Sequence, residues 1–544
     1  MSWLAQPLGP SFILVGGTIV LLLLRWLPWP QASAWGAALA TLAGMAALIA
    51  LRSPSAAILA GRPWSSLLYD VEGGIAWQIN AWTWASGALI LLFLFVVILL
   101  GWERRERLAG YYRVIDLALA AAALAVTFSA NLLTLASMWV LMESVALARL
   151  TIEPTYELET GRMGLSAASV LLMALACALS GPALLTIPFA AASLPPLTQA
   201  LLTAAIALRA AAYPLHGWLT HSRLAISADR FAVYLIPATT GLWLLGQINS
   251  TAGMAWIGEP QWLVLIIFSL FGSAVTAWAD VDPGRSLDLV YANRAGAILL
   301  ALSLWPGQGA LPLAGALLSF SLGLALFLVA GLAHQMWGAQ WPRLLAVLTL
   351  LGFPLTAGFI GQVWFARLAP PAGFLPLWMV TVLADSLLLA TLLKDWRRAP
   401  GHPAQGMPGQ AGRVLTAAVL IAIPLAFIGL QPTTALRLIG VAVPPAGLLS
   451  LALSMPAVVW ARLLIVPALA LWFVFEQQRI SAQWRHLQAG LVRLARLDWI
   501  YSLTQTAILT VQLLWQSLLR IVEGEGYMGW VMLTLLLIWL LFRP

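Results

Sequence analysis

The chain has 544 residues, of which 62% are hydrophobic and 9% charged, with a mean hydropathy of +0.92. Soluble domains carry about 25% charged residues, so this composition excludes a water-facing globular surface. The net charge of +8 is spread as arginines through short loops; it forms no continuous basic face, which argues against a nucleic-acid partner.

A helix needs roughly 20 apolar residues to cross a bilayer, and the apolar runs allow about 14 to 16 crossings. The first predicted span, from about Ser11 to Leu27, has no basic stretch before it and reads as a retained helix. Spans 2 and 3 fall at about 33–51 and 84–102, separated by a polar, mixed segment with room for a short hairpin. Spans 4 to 8 fall at about 110–129, 131–149, 163–190, 197–213 and 230–249. Spans 9 to 13 fall at about 260–281, 288–306, 311–334, 342–367 and 375–396. Further crossings are expected near 412–431, 437–475 and 527–542, with an amphipathic interfacial stretch from Gln477 to Arg520 between the last two. The expected architecture is an all-α polytopic membrane protein, divided at 1–109, 110–250, 251–400, 401–476 and 477–544.

Basic residues stay on the cytoplasmic side of a membrane. Arg104, Arg105 and Arg107 follow span 3, Arg149 and Arg162 follow span 5, and Arg223 and Arg230 follow span 7. Arg285 follows span 9, Arg343 follows span 11, and Lys394, Arg397 and Arg398 follow span 13. The alternate loops are nearly uncharged, which predicts a multi-pass protein of the cell's inner membrane with its N-terminus outside. The 28 tryptophans suit helix ends at the lipid interface.

Ionisable residues at membrane depth are costly and default to functional hypotheses. Five stand out: Asp116 in span 4, Glu143 in span 5, Arg209 in span 7, Arg294 in span 10 and Asp385 in span 13. Arg209 is the evident partner for Glu143, either as part of a relay or as an ion pair that pins two helices. Asp116 and Arg294 lie close enough to span ends to reach the cytoplasmic interface. For Asp385, functional and structural roles stand level.

Two spans look interrupted. Pro214 follows closely on Arg209, and span 12 contains Gly352, Pro354, Gly358 and Gly361. Proline removes a backbone donor, and in lipid such breaks survive only where they are buried in protein or line a cavity. Spans 7 and 12 are each fourth in a run of five. An odd number of crossings inverts the second run, so the pattern predicts two inverted five-helix repeats with a transport site at the breaks. The single cysteine, Cys177, excludes disulfides and a cysteine-based metal site. The five histidines show no metal-ligand spacing and read as solvated or interfacial. No dinucleotide, phosphate-loop or haem motif is present, so neither a cofactor nor a catalytic redox site is expected in this chain.

These residues resemble the proton-conducting antiporter-like subunits of respiratory complex I and of Mrp-type cation/proton antiporters. The likeness covers about residues 80 to 400 and, weakly, the segment after 477. It rests on Glu143, on Pro214-Leu215-His216-Gly217-Trp218-Leu219, on Asp282-Pro-Gly-Arg285 with Tyr291-Ala-Asn-Arg-Ala-Gly296, and on the run from Gly352 to Gly361. The resemblance implies integral membrane partner subunits and the translocation of protons or monovalent cations. It also implies a central chain of ionisable groups: a helix-5 glutamate, a helix-7 lysine, a helix-8 lysine or histidine, and a helix-12 lysine or glutamate. Three of the four positions depart from that pattern, falling on Arg209, near Val233, and on Gln362. Lysine can lose its proton when buried, and arginine effectively cannot. The expected function is therefore an antiporter-like subunit with an altered or degenerate proton route. A non-conducting scaffold and a small-solute transporter are the alternatives.

Overall fold

The computed structural model describes residues 6–24, 31–52, 58–60, 74–102, 109–151, 159–216, 219, 227–252, 260–280, 282–304, 310–368, 375–396, 408–441 and 457–479, with scattered helical positions between 486 and 535. The expected last crossing at 527–542 and most of the interfacial stretch after Gln477 lie outside the described residues.

The chain enters through α1 (Gly9–Leu24), α2 (Ala32–Ala50) and α3 (Ala81–Leu100). Before α3, a three-residue antiparallel pairing joins Ile58–Ala60 to Ala76–Gln78. Asn131 ties this hairpin down: its Nδ2 donates to Gly74 O at 2.9 Å while its Oδ1 caps the start of the following helix through Thr134 N at 2.9 Å. α3 begins on a reciprocal Asn80–Thr83 capping box. Its apolar residues run all the way round, the pattern of a helix enclosed on every side.

α4 (Ala109–Thr127), α5 (Leu132–Thr151), α6 (Glu159–Ser180), the short α7 (Pro182–Thr186) and α8 (Pro196–Arg209) follow. α9 runs from Ser227–Arg230 through a π-helical turn, Phe231–Leu235, into Ile236–Ala252. Next come α10 (Pro260–Ala279) and α11 (Pro283–Leu304). α12 runs from Ala310–Leu318 through a second π-helical turn, Ser319–Gly323, into Leu324–Trp337. The predicted span 12 is two pieces, α13 (Trp341–Leu351) and α14 (Ala357–Leu368). α15 (Leu375–Trp396), α16 (Pro408–Leu430), the short α17 (Pro432–Leu438) and α18 (Ala457–Arg479) complete the described fold.

Nine helices among the described residues are long and apolar enough to cross a membrane, and three shorter apolar helices accompany them. The protein is a multi-pass helical membrane protein. α9 packs on α3 and α4, α12 on α14 and α16, and α10 on both α11 and α15. α15 in turn holds α18. Buried apolar side chains form a continuous core from Leu14 to Val474. Outward faces stay apolar as well: Leu23, Leu171, Val264, Ile423 and Leu464 are exposed. In water such a surface would aggregate; against lipid tails it is solvated.

Candidate functional site

The two interrupted helices position the site. α8 ends at Arg209, and Ala211, two residues on, takes φ 53°. α13 ends at Gly352 with φ 73°, and Leu355 takes φ 64° before α14 begins. Ala211 and Leu355 are the described non-glycine residues with positive φ, one in each break. Each such residue costs on the order of 1–3 kcal/mol and persists only where its surroundings hold it. Backbone carbonyls freed by the breaks are met by side chains. Tyr234 Oη donates to Ala210 O at 3.1 Å, Ser319 Oγ to Thr349 O at 2.8 Å, and Arg294 Nη1 to Leu350 O at 2.8 Å. That satisfaction is what lets a broken helix sit at membrane depth. α14 can approach α12 closely because Gly315 faces Gly361: a Cβ on Gly315 would lie 2.6 Å from the Gly361 nitrogen.

At the first break, Arg209 Nε lies 3.3 Å from Glu143 Oε1, an ion pair without hydrogen-bond alignment. Arg209 Nη2 also donates to Val233 O at 3.0 Å, which ties α8 to the π turn of α9. Ser166 of α6 donates to the Glu143 carboxylate. Glu143 is 1% exposed, so this pair is sealed from bulk water. Ser166 has no signature in the sequence beyond a small polar residue on an apolar helix. Ser169, three residues on, links Trp139 Nε1 at 3.0 Å to Ala205 O at 3.2 Å. One face of α6 is thus a polar seam between α5 and α8.

Asp116 does not reach the interface. It is buried on α4, where Arg149 Nε donates to it at 2.9 Å, and Arg149 also donates to Asp229. Arg149 stacks its guanidinium 4.1 Å from the Tyr112 ring centroid. The sequence places Arg149 in a loop, but α5 continues to Thr151 and carries it inward. Arg230, likewise expected in a loop, pairs with Asp288 at 3.2 Å beside the stacked Tyr234 and Tyr291 rings, 5.2 Å apart. Lys394, the only lysine, donates to Asp280 O at 2.9 Å. His216 is buried and stacked on Tyr213 at 4.8 Å, rather than solvated.

Arg294 also stays inside. Its Nη2 donates to Asp385 Oδ1, and a second arginine, Arg462 of α18, donates to Asp385 Oδ2. Arg462 further donates to Thr381 Oγ1 at 3.2 Å. Sequence reading passes over Arg462, because it sits within a long apolar run with no carboxylate in reach on its own helix. Gln362, half-buried on α14, faces the same space. Arg294, Asp385, Arg462, Gln362, Ser319 and Thr381 line a cavity of about 90 Å³ beside the second break. The structure therefore groups Glu143 with Arg209, and Arg294 with Asp385 and Gln362. It keeps Asp116 apart from both groups.

No protein-family model matches the chain, and no curated protein matches its sequence. Solved structures do match. A chain of the Mrp complex from Dietzia sp. DQ12-45-1b superposes with a TM-score of 0.76 at 15% identity, over 98% of this chain and 62% of that one. This chain thus spans 62% of the length of that Mrp chain. A chain of the membrane-bound sulfane sulfur reductase, an archaeal respiratory membrane complex, superposes with a TM-score of 0.70 at 16% identity, over 97% of this chain and 99% of that one. At these identities the likeness is one of fold: the chain shares the fold of these two membrane-complex chains.

Proposed function

We propose that this chain is an antiporter-like subunit of a complex I-like or Mrp-like membrane assembly, working beside integral membrane partners in proton or monovalent-cation translocation through an altered route. Its setting is the inner membrane, with the N-terminus outside. The observation that carries the altered-route reading is the identity of the buried cations. Arg209 faces Glu143, and Arg294 with Arg462 faces Asp385. A guanidinium keeps its proton at any physiological pH, so it can bias a neighbouring carboxylate but cannot relay a proton. Val233 and Gln362, at two further positions of the family's chain of charges, do not titrate. The paired breaks after Arg209 and after Gly352 support the inverted-repeat arrangement.

One observation favours a second reading, a scaffold that does not conduct. The π turn of α9, where a helix-8 titrating group would stand, is filled: Phe231 to Leu235 are each 1% exposed or less. A small-solute transporter is poorly supported, because about 90 Å³ falls well short of the roughly 300 Å³ of an ordinary ligand pocket.

The test is proton flux in proteoliposomes holding the complete assembly, comparing wild type with Glu143→Gln. Reduced flux supports a route through Glu143. Unchanged pumping removes an essential relay role for Glu143 and leaves the scaffold. Isolation of the chain as a stable, active monomer would contradict the multi-subunit reading.

A further inference from the structure

The second break has a specific backbone debt. In a continuous helix the carbonyl of Leu350 would accept from the N–H four residues on. That residue is Pro354, which has no N–H. Arg294 Nη1, from α11, takes the missing donor's place at 2.8 Å. The same guanidinium donates through Nη2 to Asp385 on α15. One side chain thus closes the break and ties it to a neighbouring helix. Arginine is long and rich in rotamers, so this work depends on something that fixes the plane of its fork.

Asn293 does so. It is fully buried, and its Oδ1 accepts from Arg294 Nε at 3.0 Å and from Nη2 at 2.6 Å. The other end of the amide reaches α10, where Nδ2 donates to Leu270 O at 2.7 Å and to Ser273 Oγ at 3.2 Å. Ser273 gives its own hydrogen to carbonyls of α10, so towards Asn293 it can only accept. Two acceptors on α10 therefore set which way the amide lies, and its oxygen is left to face Arg294. α11 comes this close to α10 because Gly296, one turn on, faces Ser269: a Cβ there would lie 2.8 Å from Ser269 Oγ.

We propose that Asn293 is the positioning residue of the second break: anchored on α10, it aims the Arg294 guanidinium at Leu350 O and Asp385 and so keeps the cavity beside the break closed. This deepens the reading of the second break as part of the translocation route. The cavity can be probed without flux, which keeps the two claims separable.

The experiment is thiol labelling of the full chain in detergent with methyl methanethiosulfonate, followed by mass spectrometry. Cys177→Ser gives a cysteine-free chain. Ala384→Cys then places one thiol in the cavity wall, where Ala384 is buried. Adding Asn293→Leu keeps the volume and removes the amide. Labelling should become faster by about tenfold or more, the worth of hydrogen bonds lost to a charged group. With Arg294→Met already present, Asn293→Leu should add little further, because the side chain it acts through is gone. Asn293→Asp loses the donor to α10 but keeps the acceptor, and should label nearly as slowly as the parent. If Arg294→Met does not fold, the contrast between Asn293→Asp and Asn293→Leu carries the test. A control thiol at Ala120→Cys, buried in α4, should be unaffected throughout.

An Asn293→Leu rate equal to the parent overturns the proposal. So does an equal rise at Ala120→Cys, which would mean general loosening, or an Asn293→Asp rate as high as that of Asn293→Leu, which would make the tie to α10 the whole effect. Proton flux through the reconstituted assembly tests the route instead. Wild-type flux in Asn293→Leu, with labelling raised, would remove the break from the route and leave the positioning role standing.

Discussion

Replacing Asp385 with Asn should destabilise the protein more than replacing either of its arginine partners. Asp385 is 4% exposed and accepts from both Arg294 and Arg462. Asp385→Asn keeps the shape but takes away the carboxylate that both buried guanidiniums share. Breaking a buried ion pair in this way costs about 3–5 kcal/mol. Arg462→Gln leaves Arg294 and Asp385 matched one to one, and loses a hydrogen bond to a charged group, about 1.5–3 kcal/mol. The expected order of stability is wild type, then Arg462→Gln, then Asp385→Asn, with the two variants separated by about 2 kcal/mol. The assay is equilibrium unfolding of the full chain in mixed micelles, followed by the fluorescence of its 28 tryptophans. Because a well-packed apolar set can replace a buried ionic cluster at little loss, combining Asp385→Leu with Arg294→Met and Arg462→Met should recover much of the deficit. An Asp385→Asn protein as stable as Arg462→Gln would refute the reasoning, since Asp385 would then not be the shared countercharge.

Arg209→Lys places a cation that can lose its proton beside Glu143; proton flux through the reconstituted assembly should change in size or pH dependence, and an unaltered profile would count against Arg209 as the block. Gly352→Ala puts a side chain where φ is 73°, costing about 1–2 kcal/mol for the left-handed backbone alone, and its Cβ would press on Gln362. Gly331→Ala, on a helix position where a Cβ meets nothing within 4 Å, should instead be neutral or stabilising by up to about 1 kcal/mol, and unfolding curves for the two variants make the comparison. Arg149→Gln strips the cation shared by Asp116 and Asp229 and should lower stability by about 3–5 kcal/mol. Yield of folded protein and micelle unfolding would both report it, and wild-type behaviour would show that the three residues are not coupled.

The sequence by itself determined that the chain is helical and membrane-embedded, because apolar runs of bilayer length with so few charges have no other stable form. It also located both helix breaks, since Pro214 and the Gly352-Phe353-Pro354 run act on the backbone they belong to, whatever surrounds them. The short list of ionisable residues at depth was readable for the same reason. Their partners were not. In lipid the outward and inward faces of a helix are both apolar, so hydrophobic periodicity does not say which face turns inward. On α6 the exposed side carries Leu171, Leu175 and Leu179, while Ser166 and Ser169 are buried. Reading apolar as inward would turn that helix the wrong way and lose Ser166 as the donor to Glu143. Arg462 and Asp385 lie 77 residues apart, and Arg149 bridges carboxylates 33 residues before it and 80 after. Only the packing of α18 on α15, and of α5 between α4 and α9, brings those charges together. The tertiary structure alone decided that Asp116 and Arg294 turn inward and not to the interface: each has a countercharge on a neighbouring helix, close enough to hold it out of water.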